Sequence, residues 1–123
     1  MPVSRIPKEA ILRMISGDVA PVEETPCVIK FYSIGCPMCH ALSSYYIDIS
    51  DSYDGIQFFA FNVDDDDEIP TKLKLNGVPS VTMLKVRKGA KAKIRNLQDP
   101  SNPNDKTWFT TKHIKNFIDE EIK

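Results

Sequence analysis

Two cysteines three positions apart follow closely on a short apolar segment, and this arrangement constrains the fold more than any other feature of the chain. Residues 27–32 are β-branched and aromatic, which predicts a buried strand. Residues 33–35 interrupt it, and Pro37 suits the first position of a helix predicted over residues 37–50. Apolar residues recur along that helix at Met38, Leu42, Tyr45 and Ile49. Cys36 and Cys39 are therefore expected where a strand gives way to a helix.

The remaining apolar segments predict an α/β arrangement. Helices are expected over residues 7–16, 70–75 and 110–122, and strands over residues 56–63, 81–86 and 91–97. The polar residues 21–26 are expected to form a connector. The first two strands flank a helix, so they should be parallel and joined by a right-handed crossover, in a sheet with helices on both faces. The last helix should turn inward its apolar residues Ile114, Phe117, Ile118 and Ile122.

Length and charge restrict the classes of function. The chain has 123 residues, about one domain, and its 16 basic and 17 acidic residues leave a formal charge of −1. Nucleic-acid binding depends on many phosphate contacts, so this balance argues against it. No apolar run is long enough for a membrane span. Residues 1–16 lack the apolar run of a secretory signal, and we expect a cytoplasmic protein.

The two cysteines have different expected reactivities. Residues three apart in a helix are neighbours, so the sulfurs of Cys36 and Cys39 are within reach of each other. Cys36 would lie at the helix N-terminus, where free N–H groups and the helix dipole stabilise a thiolate. Cys39, one turn further, should be more buried and keep a higher pKa. Cys36 is therefore expected to attack a disulfide, and Cys39 to resolve the mixed disulfide.

Cys36-Pro37-Met38-Cys39 after a strand and Gly77-Val78-Pro79-Ser80 before another together resemble the thioredoxin family. The resemblance covers roughly residues 26–95. It implies a thioredoxin-like α/β fold, with a central mixed sheet of four to five strands flanked by helices, and one domain over residues 1–123. It also implies that Pro79 is cis and lies against the cysteine pair, and that Val78 offers backbone hydrogen bonds to an extended substrate.

The same resemblance implies a thiol–disulfide oxidoreductase that acts on protein disulfides. The redox equivalents would reside in Cys36 and Cys39, so no other cofactor is expected. A thioredoxin reductase or glutathione would supply electrons, and we expect a monomer. Pro37, directly after the first cysteine, is similar to glutaredoxins, so a glutathione-dependent enzyme is an alternative, although their Gly-Gly pair is absent after the Val78-Pro79 motif. A non-catalytic adaptor with this fold is a third possibility.

Lys30 departs from the family pattern, which places a buried aspartate six residues before the first cysteine. Under one hypothesis Lys30 reaches a polar edge or pairs with an acid and has no chemical role. Under the other its cation lies beneath the cysteines, favours their thiolates and makes the pair a better oxidant. Pro37, Met38 and His40 flank the cysteines and are also expected to tune their pKa.

Metal and haem sites are less favoured. His40 completes the Cys-x-x-Cys-His pattern of c-type haem attachment, with Met83 as a conceivable second ligand, but this would require export. Zinc at Cys36, Cys39 and His40 lacks an obvious fourth ligand. Cys27 could contribute, but we expect it to be a buried structural thiol. No metal site is therefore predicted.

Two charged segments and the sole tryptophan are expected to have mainly structural roles. The acidic run 64–68 is expected to be a solvated loop that leads into a short helix, rather than a cation site. Five cations on the predicted hairpin either steer an acidic partner or, as we favour, protect an edge strand from pairing with other chains: Arg87, Lys88, Lys91, Lys93 and Arg95. The sole tryptophan, Trp108, is expected to anchor the last helix.

Overall fold

A computed structural model describes residues 3–123 of the chain. Its elements follow the order β1 (Ser4–Arg5), α1 (Lys8–Ser16), β2 (Thr25–Tyr32), α2 (Pro37–Asp51), β3 (Gln57–Asn62), a 3₁₀ turn (Val63–Asp65), α3 (Glu68–Lys72), β4 (Ser80–Arg87), β5 (Ala90–Asn96) and α4 (Thr111–Glu121). The predicted α/β class with a mixed sheet is confirmed.

The described strands form one five-stranded sheet in the order β1-β3-β2-β4-β5. Strand β2 lies at its centre, parallel to β3 and antiparallel to β4. The parallel pairing of β2 and β3, which flank α2 in the chain, confirms the predicted parallel arrangement. Strand β5 pairs with β4 alone and forms one edge. The position of β2 places the cysteine motif, which follows it, at the middle of one end of the sheet.

Each face of the sheet carries its own apolar core. Helices α2 and α4 cover one face, where Leu42 and Ile118 are fully buried with Val28 of β2. Helices α1 and α3 cover the other, where Ile11 and Ile69 pack with Ile29. Successive residues of a strand point to opposite faces, so Lys30 points to the same face as Val28, toward α2.

Several predicted boundaries were wrong. The two-residue β1 was not predicted, because a pair of exposed residues carries no period. Strand β2 begins at Thr25, two residues inside the predicted connector. Helix α3 spans Glu68–Lys72 rather than residues 70–75. For the two strands, pairing with neighbouring strands, which local sequence does not encode, decided the boundary.

Two predictions of buried residues were also wrong. Tyr46, only 1% exposed, takes the inward position that was predicted for Tyr45, which is 50% exposed. Both residues lie three or four positions from Leu42 and Ile49, so the spacing alone did not distinguish them. Ile122 follows the end of α4 and is 43% exposed, because the helix stops before it could turn inward.

Candidate redox site

Cys36 is the N-cap of α2, and Pro37 is the first residue of the helix. The sulfur of Cys36 accepts a hydrogen bond from the N–H of Cys39 at 3.1 Å. Cys36 and Cys39 are joined as a disulfide, with Cα atoms 5.3 Å apart. In the reduced protein, the same N–H and the positive end of the helix dipole would stabilise a thiolate on Cys36.

The two sulfurs differ in accessibility, as the order of attack and resolution requires. Cys36 is partly exposed, whereas Cys39 is 1% exposed. Met38 is half-buried between them, and Pro37 is exposed. A partner disulfide therefore has access to Cys36, while Cys39 stays protected under the first turn of α2. The catalytic roles of the two residues stay predictions.

Val78 and Pro79 directly precede β4, at the same end of the sheet as the cysteines. Their peptide bond is cis, Pro79 is buried and Val78 is half-buried. The next residue, Ser80, pairs with Phe31 of β2, five residues before Cys36, and its hydroxyl donates to the Gly77 carbonyl. The topology thus brings both predicted motifs to one end of neighbouring strands. The role of Val78 and Pro79 in substrate binding stays a prediction.

Lys30 is buried behind the cysteines. It is 5% exposed, and its Nζ lies 5.4 Å from the ring centre of Tyr46 and 5.6 Å from that of Tyr32. It lines a cavity of about 260 Å³ together with Cys39. Burial lowers the pKa of Lys30 below its ordinary value of 10.5. In the described part of the chain no acid pairs with Lys30, so the hypothesis of an acid partner is wrong for residues 3–123.

Tyr46 also lines this cavity, and its hydroxyl contacts the main chain of the sheet. Its hydroxyl lies 2.8 Å from the carbonyl oxygen of Phe59 and 3.1 Å from that of Val28, so these two strands share its single proton. Burial raises the pKa of Tyr46 well above its ordinary value. The neutral phenol therefore ties α2 to both β2 and β3 beneath the cysteine pair.

His40 and Asp64 hold the segment that precedes Cys36 from two sides. The Nε2 atom of His40 lies 2.6 Å from the Ile34 carbonyl oxygen, a contact that fits an Nε2–H donor. The Asp64 carboxylate accepts hydrogen bonds from the Ile34 N–H and the Ser33 hydroxyl, each at 3.1 Å. His40 thus fixes the loop, and its predicted effect on the cysteine pKa stays a prediction.

Sequence reasoning missed Asp64 and Arg5 as residues of this region. Asp64 was assigned to a solvated acidic loop, but its side chain supports the segment before Cys36. Its neighbour Asp66, one residue before the N-cap of α3, accepts a hydrogen bond from the Glu68 N–H at 2.7 Å. Arg5 reaches the site through β1, which has no sequence signal. Of the two, only Asp64 had a sequence signal for its location, because it directly follows a predicted strand.

Cys27 lies on the other face of the sheet, within the apolar core beneath α1 and α3. It is a free, buried thiol, and burial raises its pKa to about 11. A thiol so seldom ionised is a poor nucleophile and a poor metal ligand. Within residues 3–123, no three or more His, Cys, Asp or Glu side chains are grouped so that they could hold a metal ion.

The basic hairpin and Trp108 lie outside this site. Lys93 of β5 pairs with Glu24 at 3.0 Å, and Arg95 approaches Glu121 at 3.7 Å. Trp108 packs against the core beneath α2 and α4, two residues before the N-cap of α4, and its indole N–H donates to Asp99. No helix within residues 3–123 combines the length and the apolar character that crossing a membrane demands.

The chain matches one protein-family model and is similar in fold to many solved structures. The family model described as Thioredoxin matches residues 16–105. The crystal structure of chloroplastic thioredoxin z has a TM-score of 0.67 and 15% identity, over 100% of this chain and 97% of that chain. Thioredoxin (Mala s 13) of Malassezia sympodialis has a TM-score of 0.64 and 16% identity, over 96% of this chain and 89% of that one.

A third structure is longer than the chain. The J-Trx1 fragment of ERdj5 has a TM-score of 0.66 and 20% identity, over 98% of this chain but 50% of the fragment. The present chain thus spans half the length of that fragment. At these identities the three structures establish the similarity of fold.

Proposed function

Because the chain belongs to the thioredoxin family, we propose that it is a thiol–disulfide oxidoreductase that acts on disulfides of other proteins. The observation that carries the proposal is the placement of Cys36 and Cys39: one sulfur accessible at a helix N-terminus, the other buried one turn behind it. Family membership and a cysteine pair at disulfide distance support the general chemistry. The protein substrate is the finer part of the proposal.

The proposed reaction consists of two thiol–disulfide exchanges. The Cys36 thiolate attacks one sulfur of the substrate disulfide, forms a mixed disulfide and expels the other substrate sulfur as a thiolate. The Cys39 thiol loses its proton, and its thiolate attacks the Cys36 sulfur and expels the second substrate thiolate. The substrate gains two electrons and two protons, and the protein is left with the Cys36–Cys39 disulfide. The reverse sequence oxidises a substrate dithiol.

Lys30 is proposed to set the preferred direction. Lys30 and Cys39 line the same cavity, and no described acid neutralises Lys30. A nearby cation stabilises a thiolate more than a thiol or a disulfide. The reduced form should therefore be favoured, and the pair should be a stronger oxidant than one with a neutral residue there. Met38 and Pro37 would act on the same equilibrium through the first turn of α2.

The decisive test is reduction of insulin disulfides in the presence of dithiothreitol, or of NADPH and a thioredoxin reductase. We expect the wild-type protein to accelerate the reaction and Cys36→Ser to abolish the acceleration. Cys39→Ser should accumulate mixed disulfides with substrate, because the resolving sulfur is missing. Cys27→Ser is the matched control and should keep activity, since Cys27 lies on the other face of the sheet. Equal inactivity of wild type and Cys36→Ser with every donor would favour the adaptor function.

A glutathione-dependent enzyme is the second candidate, favoured by Pro37 as the first residue of α2. Parallel assays with glutathione plus glutathione reductase and with thioredoxin reductase distinguish the two electron donors. We further propose that residues 1–123 act as one cytoplasmic, monomeric domain with no cofactor beyond the disulfide. In support, Ile114 and Ile118 of α4, outside the family match, belong to the same apolar core as α2.

A further inference from the structure

A cationic cavity lies behind Cys39, between the start of α2 and strands β1, β2 and β3. Its volume is about 260 Å³. Arg5 and Lys30 contribute two basic side chains to its lining, and both lie near the Tyr32 ring: Arg5 Cζ is 6.0 Å and Lys30 Nζ 5.6 Å from its centre. The described residues that line it include no carboxylate. The cavity is thus positive without an internal counter-charge.

It is unusual for a lysine with so little exposed surface as Lys30 to have no acid partner among the described residues. Lys30 is 5% exposed, and a buried ammonium group is normally paired with an acid or hydrogen-bonded. In residues 3–123 its Nζ lies near the rings of Tyr32 and Tyr46, which offset part of the lost hydration, and no buried side-chain nitrogen there lacks a hydrogen-bond partner, so the Nζ still reaches the solvent of the cavity. An anion that enters the cavity would supply the missing counter-charge, and Arg5 at the rim would add a forked donor.

From this geometry we propose that the cavity binds a small oxyanion, such as phosphate, sulfate or a carboxylate. Its volume is several times that of one water molecule, about 30 Å³, but below the roughly 300 Å³ at which pockets for larger ligands begin. Ser43 and Tyr32, whose side chains end in neutral hydroxyl groups, line the same space. A compact anion that is held between Lys30 and Arg5 fits both the charge and the size.

The site would also be coupled to the cysteine pair, and this second part rests on the proposed function. A bound anion neutralises Lys30, so it opposes formation of a thiolate at the neighbouring cysteines. The anion should therefore bind the disulfide form more tightly than the thiolate form. By linkage, it should raise the pKa of the reactive thiol and shift the redox equilibrium toward the disulfide.

Binding is tested without any assay of activity. The oxidised protein, labelled with ¹⁵N, is titrated with sodium phosphate, sulfate or acetate against sodium chloride at equal ionic strength. We expect saturable shifts in the amides of Tyr32 and Ser43. Lys30→Met should weaken binding at least tenfold, Arg5→Gln should weaken it less, and Lys93→Met, which removes a distant cation, should leave it unchanged. Shifts that follow ionic strength alone, or that are equal in Lys30→Met and wild type, would overturn the site.

Coupling is tested by the pH dependence of iodoacetamide alkylation of the reduced protein. With the oxyanion that binds best, the midpoint of alkylation should move to higher pH than in chloride, and Lys30→Met should abolish this movement. Binding to the oxidised protein without any movement of the midpoint would refute the coupling and leave the site standing. Failure of insulin reduction would refute the proposed function but not the binding.

Discussion

Lys30 in the central strand β2 and Lys93 in the edge strand β5 have the same side chain in very different surroundings. Lys30 is 5% exposed and faces two tyrosine rings and a cavity shared with Cys39. The Lys93 side chain is 73% exposed and pairs with Glu24 at 3.0 Å. A cation in the middle of a sheet loses its hydration, whereas one at the edge keeps it. Of these two lysines, Lys30 is therefore the one whose charge we expect to affect stability and the pKa of the reactive thiol.

The edge hairpin is held by backbone contacts as well as by its apolar side chains. The Gly89 N–H donates to the Gly17 carbonyl at 2.9 Å, and the Lys88 N–H donates to the Pro21 carbonyl at 2.6 Å. Gly17 ends α1 with a φ of +90°. The properties of the central site thus depend on the surroundings of the Lys30 charge, whereas the edge hairpin depends on close contact between main chains. Separate substitutions can test the two regions.

Gly17→Ala should have the largest effect on stability. A Cβ at this position would lie 2.6 Å from Ala90 N and still closer to Ala90 O, and the positive φ adds strain. We expect a loss of about 2–5 kcal/mol in the free energy of unfolding, measured by urea titration. Gly89→Ala is the matched control, because Gly89 also has a positive φ but open space around it. Its loss should be about 1 kcal/mol. Equal losses would mean that the contact with Ala90 is unimportant.

Lys30→Met should change stability in the opposite direction. Methionine keeps much of the side-chain volume and removes the cost of burying a cation, but it also removes the contacts with two aromatic rings. We expect a net gain of about 1–2 kcal/mol at neutral pH, together with a higher pKa of the reactive thiol. A gain in stability without any change in the alkylation profile would restrict Lys30 to a structural role.

The pH dependence of stability offers an independent measure of the same charge. Burial lowers the pKa of Lys30 in the folded protein below 10.5, so the unfolded chain binds more protons as the pH approaches that value. Stability of the wild type should therefore rise with pH relative to Lys30→Met, starting near the lowered pKa and ending near 10.5. Cys27, whose pKa is raised to about 11, destabilises both proteins alike above its unfolded pKa and cancels in the difference. Parallel urea titrations from about pH 7 to pH 10 would detect the trend.

Lys93→Met should have the smallest effect. The charge of Lys93 is solvated, and an exposed ion pair contributes little to stability. We expect no change in the urea midpoint or in the alkylation profile of the reactive thiol. Solubility is the informative readout, because charges on an edge strand oppose pairing with other chains. Unchanged solubility after replacing all of Lys91, Lys93 and Arg95 would contradict the protective role of the hairpin.

Sequence predicted the elements with strong internal patterns and failed where tertiary contacts decide. The strand before Cys36, the helix from Pro37 and the β4–β5 hairpin carry local signals, and all three are present. Strand β1 and the place of Thr25 in β2 depend on pairing with neighbouring strands. The choice between Tyr45 and Tyr46 required the position of the sheet beneath α2, because both satisfy the helical spacing.

The chemistry available to this protein follows from its local sequence. Strand, cysteine motif and helix follow one another within residues 27–50, and local propensity and capping place Cys36 at a helix N-terminus whatever surrounds it. Which side chains meet at that helix N-terminus depends instead on contacts between distant parts of the chain. Only the parallel pairing of β1 and β2 with β3 brings Arg5 to Lys30, and only the register of β2 turns Lys30 toward Cys39 and Tyr46. Such contacts between side chains depend on strand order and register, which are set by burial of apolar residues over the whole chain.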